Sequence, residues 1–156
     1  MKMLRMPDGN ITAIIQGRKL IKLQEMVQDE PYLKAIVTEL YEEKPDKGDE
    51  QFIALVDSIK DIALQIVKES PNIPSEAQLA IQNIESPTYL VNFVCSNMDV
   101  DMNKKQELLE VFNLKSRSEK TLEIISKELQ RLEMKNEIQH KVCLLYTSDA
   151  ADDQAC

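Results

Sequence analysis

The sequence predicts an α+β chain: a partial β-sheet subdomain, made of a hairpin plus long strands, followed by an α-helical bundle that ends in a long projecting helix. Three observations lead there. Apolar residues alternate with a period near two up to Tyr41, and the period changes to about 3.6 beyond a polar stretch at 42–49. The last helical pattern then runs from Lys115 to Val142 with neither glycine nor proline to break it.

The elements follow in order. "MPDGN" at 6–10 is a turn in which Pro7 presets its φ and Gly9 takes the left-handed conformation that closes a three-residue hairpin loop. A strand at Ile11–Gln16 follows, with Ile11, Ala13 and Ile15 on one face, and Gly17 punctuates it. The run Arg18–Gln28 is apolar on both faces, which calls for burial on both sides or a bulge. "DEP" at 29–31 turns the chain into a third long strand, Tyr32–Tyr41. Three such strands leave an edge and cannot close a barrel.

Residues 43–48, with Pro45 and Gly48, form a linker. From about Glu50 to Lys68, Phe52, Val56, Ile59, Ala63, Ile66 and Val67 mark one face of an amphipathic helix, and Ser70-Pro71 stops it. Ser75 with Gln78 forms a capping box for a short helix ending near Ile84. Ser86-Pro87 is an N-cap followed by proline at the first helical position, opening a helix that carries Leu90, Phe93 and Val94. Asn103 with Gln106 is expected to cap another, whose apolar side is Leu108, Leu109 and Val111. The long helix begins near 115, and Leu122, Ile125, Leu129 and Leu132 repeat along it as a heptad seam would. Asn136 and Gln139 occupy the next seam positions, while Met134, Ile138 and Val142 carry the apolar stripe round the cylinder.

Composition sets the limits on function. Hydrophobic residues make up 43% and charged residues 29%, as in a globular chain, with no Trp and 4% aromatics, so the core rests on Ile, Leu, Val and Met. A net charge of −8 argues against a general nucleic-acid binder. No apolar run approaches the ~18 residues of a membrane span, and no signal-peptide core follows Met1-Lys2-Met3-Leu4-Arg5, so a cytoplasmic location is expected.

Catalytic chemistry has little to stand on. The three glycines, at 9, 17 and 48, cannot supply a G-x-x-x-x-G-K-[ST] phosphate loop. His140 stands alone and reads as a solvated helix residue. Cys95, Cys143 and Cys156 have neither disulfide nor zinc spacing, and Cys95 reads as a buried inert thiol. Asp99 and Asp101 lack the glycine and glutamate of a calcium loop. The seven methionines read as gap-filling core. No catalytic, cofactor-binding or metal-binding residue is therefore assigned, and the residues of any substrate-binding surface stay unnamed.

The ordered series of motifs resembles a known family. "MLRMPDGNITAIIQG" at 3–17 resembles the hairpin in the N-terminal domain of the ATP-dependent Lon proteases, and 72–142, with Pro87 at a helix start and "KQELLE" at 105–110, resembles the helical part that follows. Asn113 stands where that family often has aspartate, and Ser118 stands where leucine is usual. The resemblance implies a substrate-recognition module for unfolded or damaged polypeptides, in a protein-quality-control protease that forms a homo-oligomeric ring. It also implies that ATP and Mg serve the ATPase domain and a Ser–Lys dyad the protease domain, neither of which is carried here. The same resemblance makes 1–42 a partial β-subdomain and 49–142 the helical subdomain. "CLLYTSDAAD" at the head of 143–156 looks like translated adapter sequence rather than native chain. Two other readings stand beside this one: a stand-alone adaptor domain, and a coiled-coil interaction protein built on 115–142.

Overall fold

The computed structural model describes residues 2–152 apart from 16, 18, 72 and 75, and no side chain of Lys2, Ile14 or 142–152. The chain divides into two compact units, Met1–Glu42 and Glu43–Cys156.

The first unit holds two antiparallel hairpins. Strand β1 (Lys2–Arg5) pairs with β2 (Ile11–Ile14), Arg5 opposite Ile11. The turn closes as its residues dictate. The Met6 N–H donates to the Asn10 carbonyl at 2.8 Å and Gly9, at φ 85°, donates to the Met6 carbonyl at 3.0 Å. The Asp8 carboxylate accepts from the Asn10 backbone N–H at 3.0 Å, and that bond, with a second from the Asn10 side chain, holds the Asp8 pKa below the usual carboxylate range.

Strand β3 (Leu20–Gln28) pairs with β4 (Lys34–Leu40), with Leu20 opposite Leu40 and Gln28 opposite Lys34. Both strands are shorter than the alternation implied, and Gln16 and Arg18 lie outside the described residues. Of the two explanations for a doubly apolar β3, the bulge is the one observed: the register shifts between Leu23 and Glu25 and again between Met26 and Gln28. Burial is not, because Ile21, Leu23 and Val27 are each more than half exposed. The described strands form two two-stranded sheets rather than one.

The second unit is a helical bundle. Helix α1 (Glu50–Glu69) starts at Asp49, whose side chain accepts the Phe52 N–H at 3.0 Å, and ends at Ser70. Its expected stripe is the core: Phe52, Val56, Ile59 and Ala63 are buried, with Ile66 and Val67 partly so. Helix α2 (Glu76–Gln82) is short, and its expected cap, Ser75, lies outside the described residues. Helix α3 (Pro87–Asn97) opens as read, with the Ser86 hydroxyl accepting the Tyr89 N–H at 3.3 Å and Pro87 in the first turn. It buries Leu90, Val91 and Val94.

Helix α4 (Met102–Leu109) departs from the reading. Its N-cap is Asp101, which makes no side-chain capping bond, and Asn103 sits inside the helix. The Asp101 carbonyl already accepts from the Lys104 and Lys105 N–H groups, so the helix begins two residues early on backbone bonds alone. Leu108 is buried as expected, while Leu109 is 47% exposed.

Helix α5 (Leu114–Asp152) is longer at both ends than the pattern from 115 to 142. Asn113 caps it, its side-chain oxygen accepting the Ser116 N–H at 3.0 Å. At the far end nothing in "CLLYTSDAAD" breaks a helix. Leu114, Ile125 and Leu129 are buried, and α5 packs chiefly on α1. The seam thus serves the bundle core of its own unit. The second face of the same packing is polar and buried. The Ser118 and Thr121 hydroxyls donate back to the Leu114 and Arg117 carbonyls at 2.8 and 2.7 Å, and Arg117 Nη1 donates to the Val111 carbonyl at 3.2 Å. Burial pulls the Arg117 pKa below its usual value.

The stretch before α1 is also part of this unit. Glu43 makes a parallel bridge to Asn113, its N–H donating to the Phe112 carbonyl at 3.0 Å and its carbonyl accepting the Leu114 N–H at 2.9 Å. Lys115 Nζ then reaches Asp49 at 2.8 Å. The start of the expected linker is therefore stapled to the start of α5.

Candidate functional site

The residues that sequence chemistry singled out are dispersed. His140 is exposed on α5. Cys95 is half-buried on α3, its Sγ 3.1 Å from Thr121 Oγ1, and burial pushes its thiol pKa up despite that hydrogen bond. Asp99 is paired weakly with Arg131 at 3.8 Å, and no group of three or more His, Cys, Asp and Glu suited to a metal is found among the described residues. Asn113 and Ser118, the two departures from the family pattern, are a helix cap and a buried self-satisfied hydroxyl. Neither presents a recognition group.

The methionines correct the sequence reading. Met3, Met6, Met26, Met102 and Met134 are between 42% and 78% exposed, so they do not fill the core. Met98 does pack, partly buried, against the core, which is otherwise assembled from apolar residues of α1, α3 and α5 with Ile81 of α2. Four of the five instead sit on the hairpins or at the start of α4.

Two apolar features result. The first is the hairpin unit itself. On β3 and β4, Ile21, Leu23, Val27, Ile36 and Val37 are 45–61% exposed, and Tyr32, Leu33 and Tyr41 flank them at 59–81%. Ile36 and Val37 are consecutive on β4 and so point to opposite faces, which leaves apolar side chains exposed on both sides of this sheet. Each two-stranded sheet also leaves strand edges whose backbone groups have no ladder partner among the described residues.

The second is a cleft of about 590 Å³ in the helical unit. Phe52 and Val56 of α1, Leu90 of α3 and Leu114 of α5 make its floor, and Ile53 stands at its mouth, 52% exposed. One wall is the 44–49 segment that the Glu43–Asn113 bridge pins in place; the other is the 82–88 connection from α2 to α3. Lys60 holds that second wall, its Nζ donating to the Gln82 carbonyl at 2.9 Å and to the Ile84 carbonyl at 3.3 Å. Charged groups line the opening: Lys44, Asp46 and Lys47 on the first wall, Glu85 on the second, and Asp57 on α1.

The polar groups of the lining are partly committed to the fold, Lys60 to the Gln82 and Ile84 carbonyls and Asp49 to Lys115 and the Phe52 N–H. What the cleft offers is an apolar floor under a polar, two-signed rim, which is the anatomy of a recognition surface. Nothing in the one-dimensional pattern marks this cleft, because its lining comes from three stretches far apart in the chain.

Comparison with known proteins shows which chains this one is similar to. Residues 1–127 match the family described as the ATP-dependent protease La (LON) substrate-binding domain. Over 142 residues, 91% of this chain, it is 52% identical to a Lon protease of Flavobacterium johnsoniae. Over the same length it is 43% identical to that of Karelsulcia muelleri and 42% identical to that of Cytophaga hutchinsonii. The chain spans only 17% of the length of the first of these relatives, and both apolar features lie within the residues that match the family.

Proposed function

The chain belongs to the Lon substrate-binding domain family, and from that premise we propose that it captures unfolded or damaged polypeptides for an ATP-dependent serine protease. The match is to the binding domain, so on this reading the chain contributes recognition, with ATP, Mg and a Ser–Lys dyad assigned to other domains of the parent. The parent works as a homo-oligomeric ring in the cytoplasm. No helix among the described residues is long and apolar enough to cross a membrane.

The observation that carries this reading is the exposed apolar surface inside the family-matched region. Misfolded chains differ from folded ones chiefly in exposing apolar side chains and unpaired backbone, and both features of this domain are suited to such ligands. Strand edges pair with extended backbone, and the cleft accepts side chains.

Binding of reduced, carboxymethylated α-lactalbumin, which cannot fold, tests the proposal by fluorescence anisotropy against the native protein. Saturable binding of the unfolded form alone is expected. Equal binding of both forms, or of neither, would sink it.

A further inference from the structure

We infer that residues 44–48 form a strap along one side of the cleft, hinged at Gly48 and latched at Glu43 onto the head of α5, and that the strap swings open while the bundle beneath it stays folded. This motion belongs to the chain itself and is independent of what the cleft receives.

The latch is a small set of bonds at one place. Glu43 donates its N–H to the Phe112 carbonyl at 3.0 Å and its carbonyl accepts the Leu114 N–H at 2.9 Å, while Asn113 Nδ2 donates to Glu43 Oε2 at 3.3 Å. Glu43 is exposed, so these bonds compete with water. The hinge end is fixed. Asp49 caps α1 through the Phe52 N–H and pairs with Lys115 at 2.8 Å. Gly48 stands between strap and cap at φ 97°, and nothing lies within 4 Å of where its Cβ would be. The closed strap therefore needs the left-handed turn that glycine adopts without steric cost, and there is room for that turn to change.

Between latch and hinge nothing fastens the strap. Among the described residues, Lys44, Pro45, Asp46, Lys47 and Gly48 make no hydrogen bond or ion pair outside the segment 44–49; the Asp46 carbonyl accepts the Asp49 N–H at 3.2 Å within it. Lys44, Asp46, Lys47 and Gly48 are exposed and Pro45 is half-buried, so lifting the strap gives up little apolar contact. The opposite wall differs, because Lys60 Nζ grips it at the Gln82 and Ile84 carbonyls. One wall of the cleft is thus clamped and the other is movable.

The floor sets a different energy scale. Phe52, Val56, Leu90 and Leu114 are at most 8% exposed and belong to the packed core. Releasing the latch costs a few exposed polar bonds, whereas disturbing the floor costs core packing, so the strap opens far more often than the bundle unfolds. Opening removes the first wall and widens the cleft beyond its latched volume of about 590 Å³.

Amide exchange on the full chain tests this with three variants. Asn113→Asp keeps an oxygen to cap α5 and loses the amide that holds Glu43. Exchange at the Glu43 and Leu114 N–H groups should then speed up a few-fold, with the Phe52 N–H at the hinge unchanged. Tryptic cleavage after Lys47 should rise in parallel. Gly48→Ala meets no neighbour, yet should speed the same two amides by about five- to thirtyfold, because the closed turn is strained for alanine. Ile125→Ala weakens the core, so the Ile59 N–H should exchange faster while Glu43 and Leu114 do not. If Glu43 and Leu114 instead accelerate in step with Ile59, the strap opens only when the bundle unfolds, and the inference fails. A Glu43 amide that ignores Gly48→Ala means that hinge and latch are independent, which overturns it as well. Should Asn113→Asp not fold, Gly48→Ala and Ile125→Ala decide between these outcomes.

Discussion

Asp49 caps α1 through the Phe52 N–H and pairs with Lys115 at the start of α5, so one carboxylate joins the two helices that make most of the core. The Lys115 hydrogen bond, followed by the Phe52 N–H, holds its pKa below the usual carboxylate value. A carboxylate with a depressed folded-state pKa contributes stability above its unfolded pKa and loses it as pH falls through the folded one. Asp49→Asn should therefore lower the urea midpoint at neutral pH, and the gap from wild type should narrow as pH falls below the ordinary Asp value of about 3.9. A gap that persists unchanged in acid would mean that the charge does no work there. Cys95 gives an independent residue-scale check. Because burial raises its thiol pKa, iodoacetamide should modify it more slowly in the folded chain than in urea. The comparison is made in a variant with Cys143 and Cys156 changed to Ser. Equal rates would mean that the thiol is not shielded.

At the scale of elements, some of the structure was legible and some was not, for identifiable reasons. Ser86-Pro87 and the Phe52–Ala63 stripe could be read because both signals are local: a cap with proline beside it, and one period of one helix. The same holds for the loop from Met6 to Asn10. The start of α4 was misread because an Asn followed three residues later by Gln looks like a capping box, while the helix begins on backbone bonds to Asp101 that leave no side-chain signature. Asn136 reads as a defect in the heptad seam. In space its amide donates to the carbonyl of Glu69 at 3.2 Å and to its Oε2 at 3.1 Å, closing the end of α1. Seam residues and core residues look alike in sequence, and only packing separates them. Ile125→Ala should cost about 2–5 kcal/mol, as expected for a fully buried aliphatic. Leu129→Asp should unfold a monomer. If Leu129→Asp instead dissociates an oligomer that stays folded, the seam is an intermolecular coil.

For the whole molecule, the two units differ in how much apolar surface they bury. The helical unit has a continuous core running from Phe52 to Ile125, whereas most large apolar side chains of the hairpins are exposed. Two-stranded hairpins are marginal without a partner layer. Amide exchange on the full chain should therefore show rapid exchange in β1–β4 and strong protection in α1, α3 and the part of α5 that faces α1. Uniform strong protection across both units would contradict this. The cleft was beyond reach of sequence reading for the same global reason. It exists only because the Glu43–Asn113 bridge and the Lys60 clamp fix two walls around a third segment, and no local pattern encodes a distance between segments.

The bond from Asn136 to Glu69 has a mechanical meaning. It is the last described tie between α5 and the rest of its bundle, so it acts as a fulcrum. Beyond it the part of the helix read as native chain, to Val142, forms a lever arm of about 9 Å, at 1.5 Å per residue. A tilt of about 10° at that pivot would carry Val142 through roughly 1.6 Å. A force on the end of the rod would be felt first at a single amide and the final turn of α1. Removing that amide with Asn136→Ala would move the pivot back toward Leu129 and lengthen the arm.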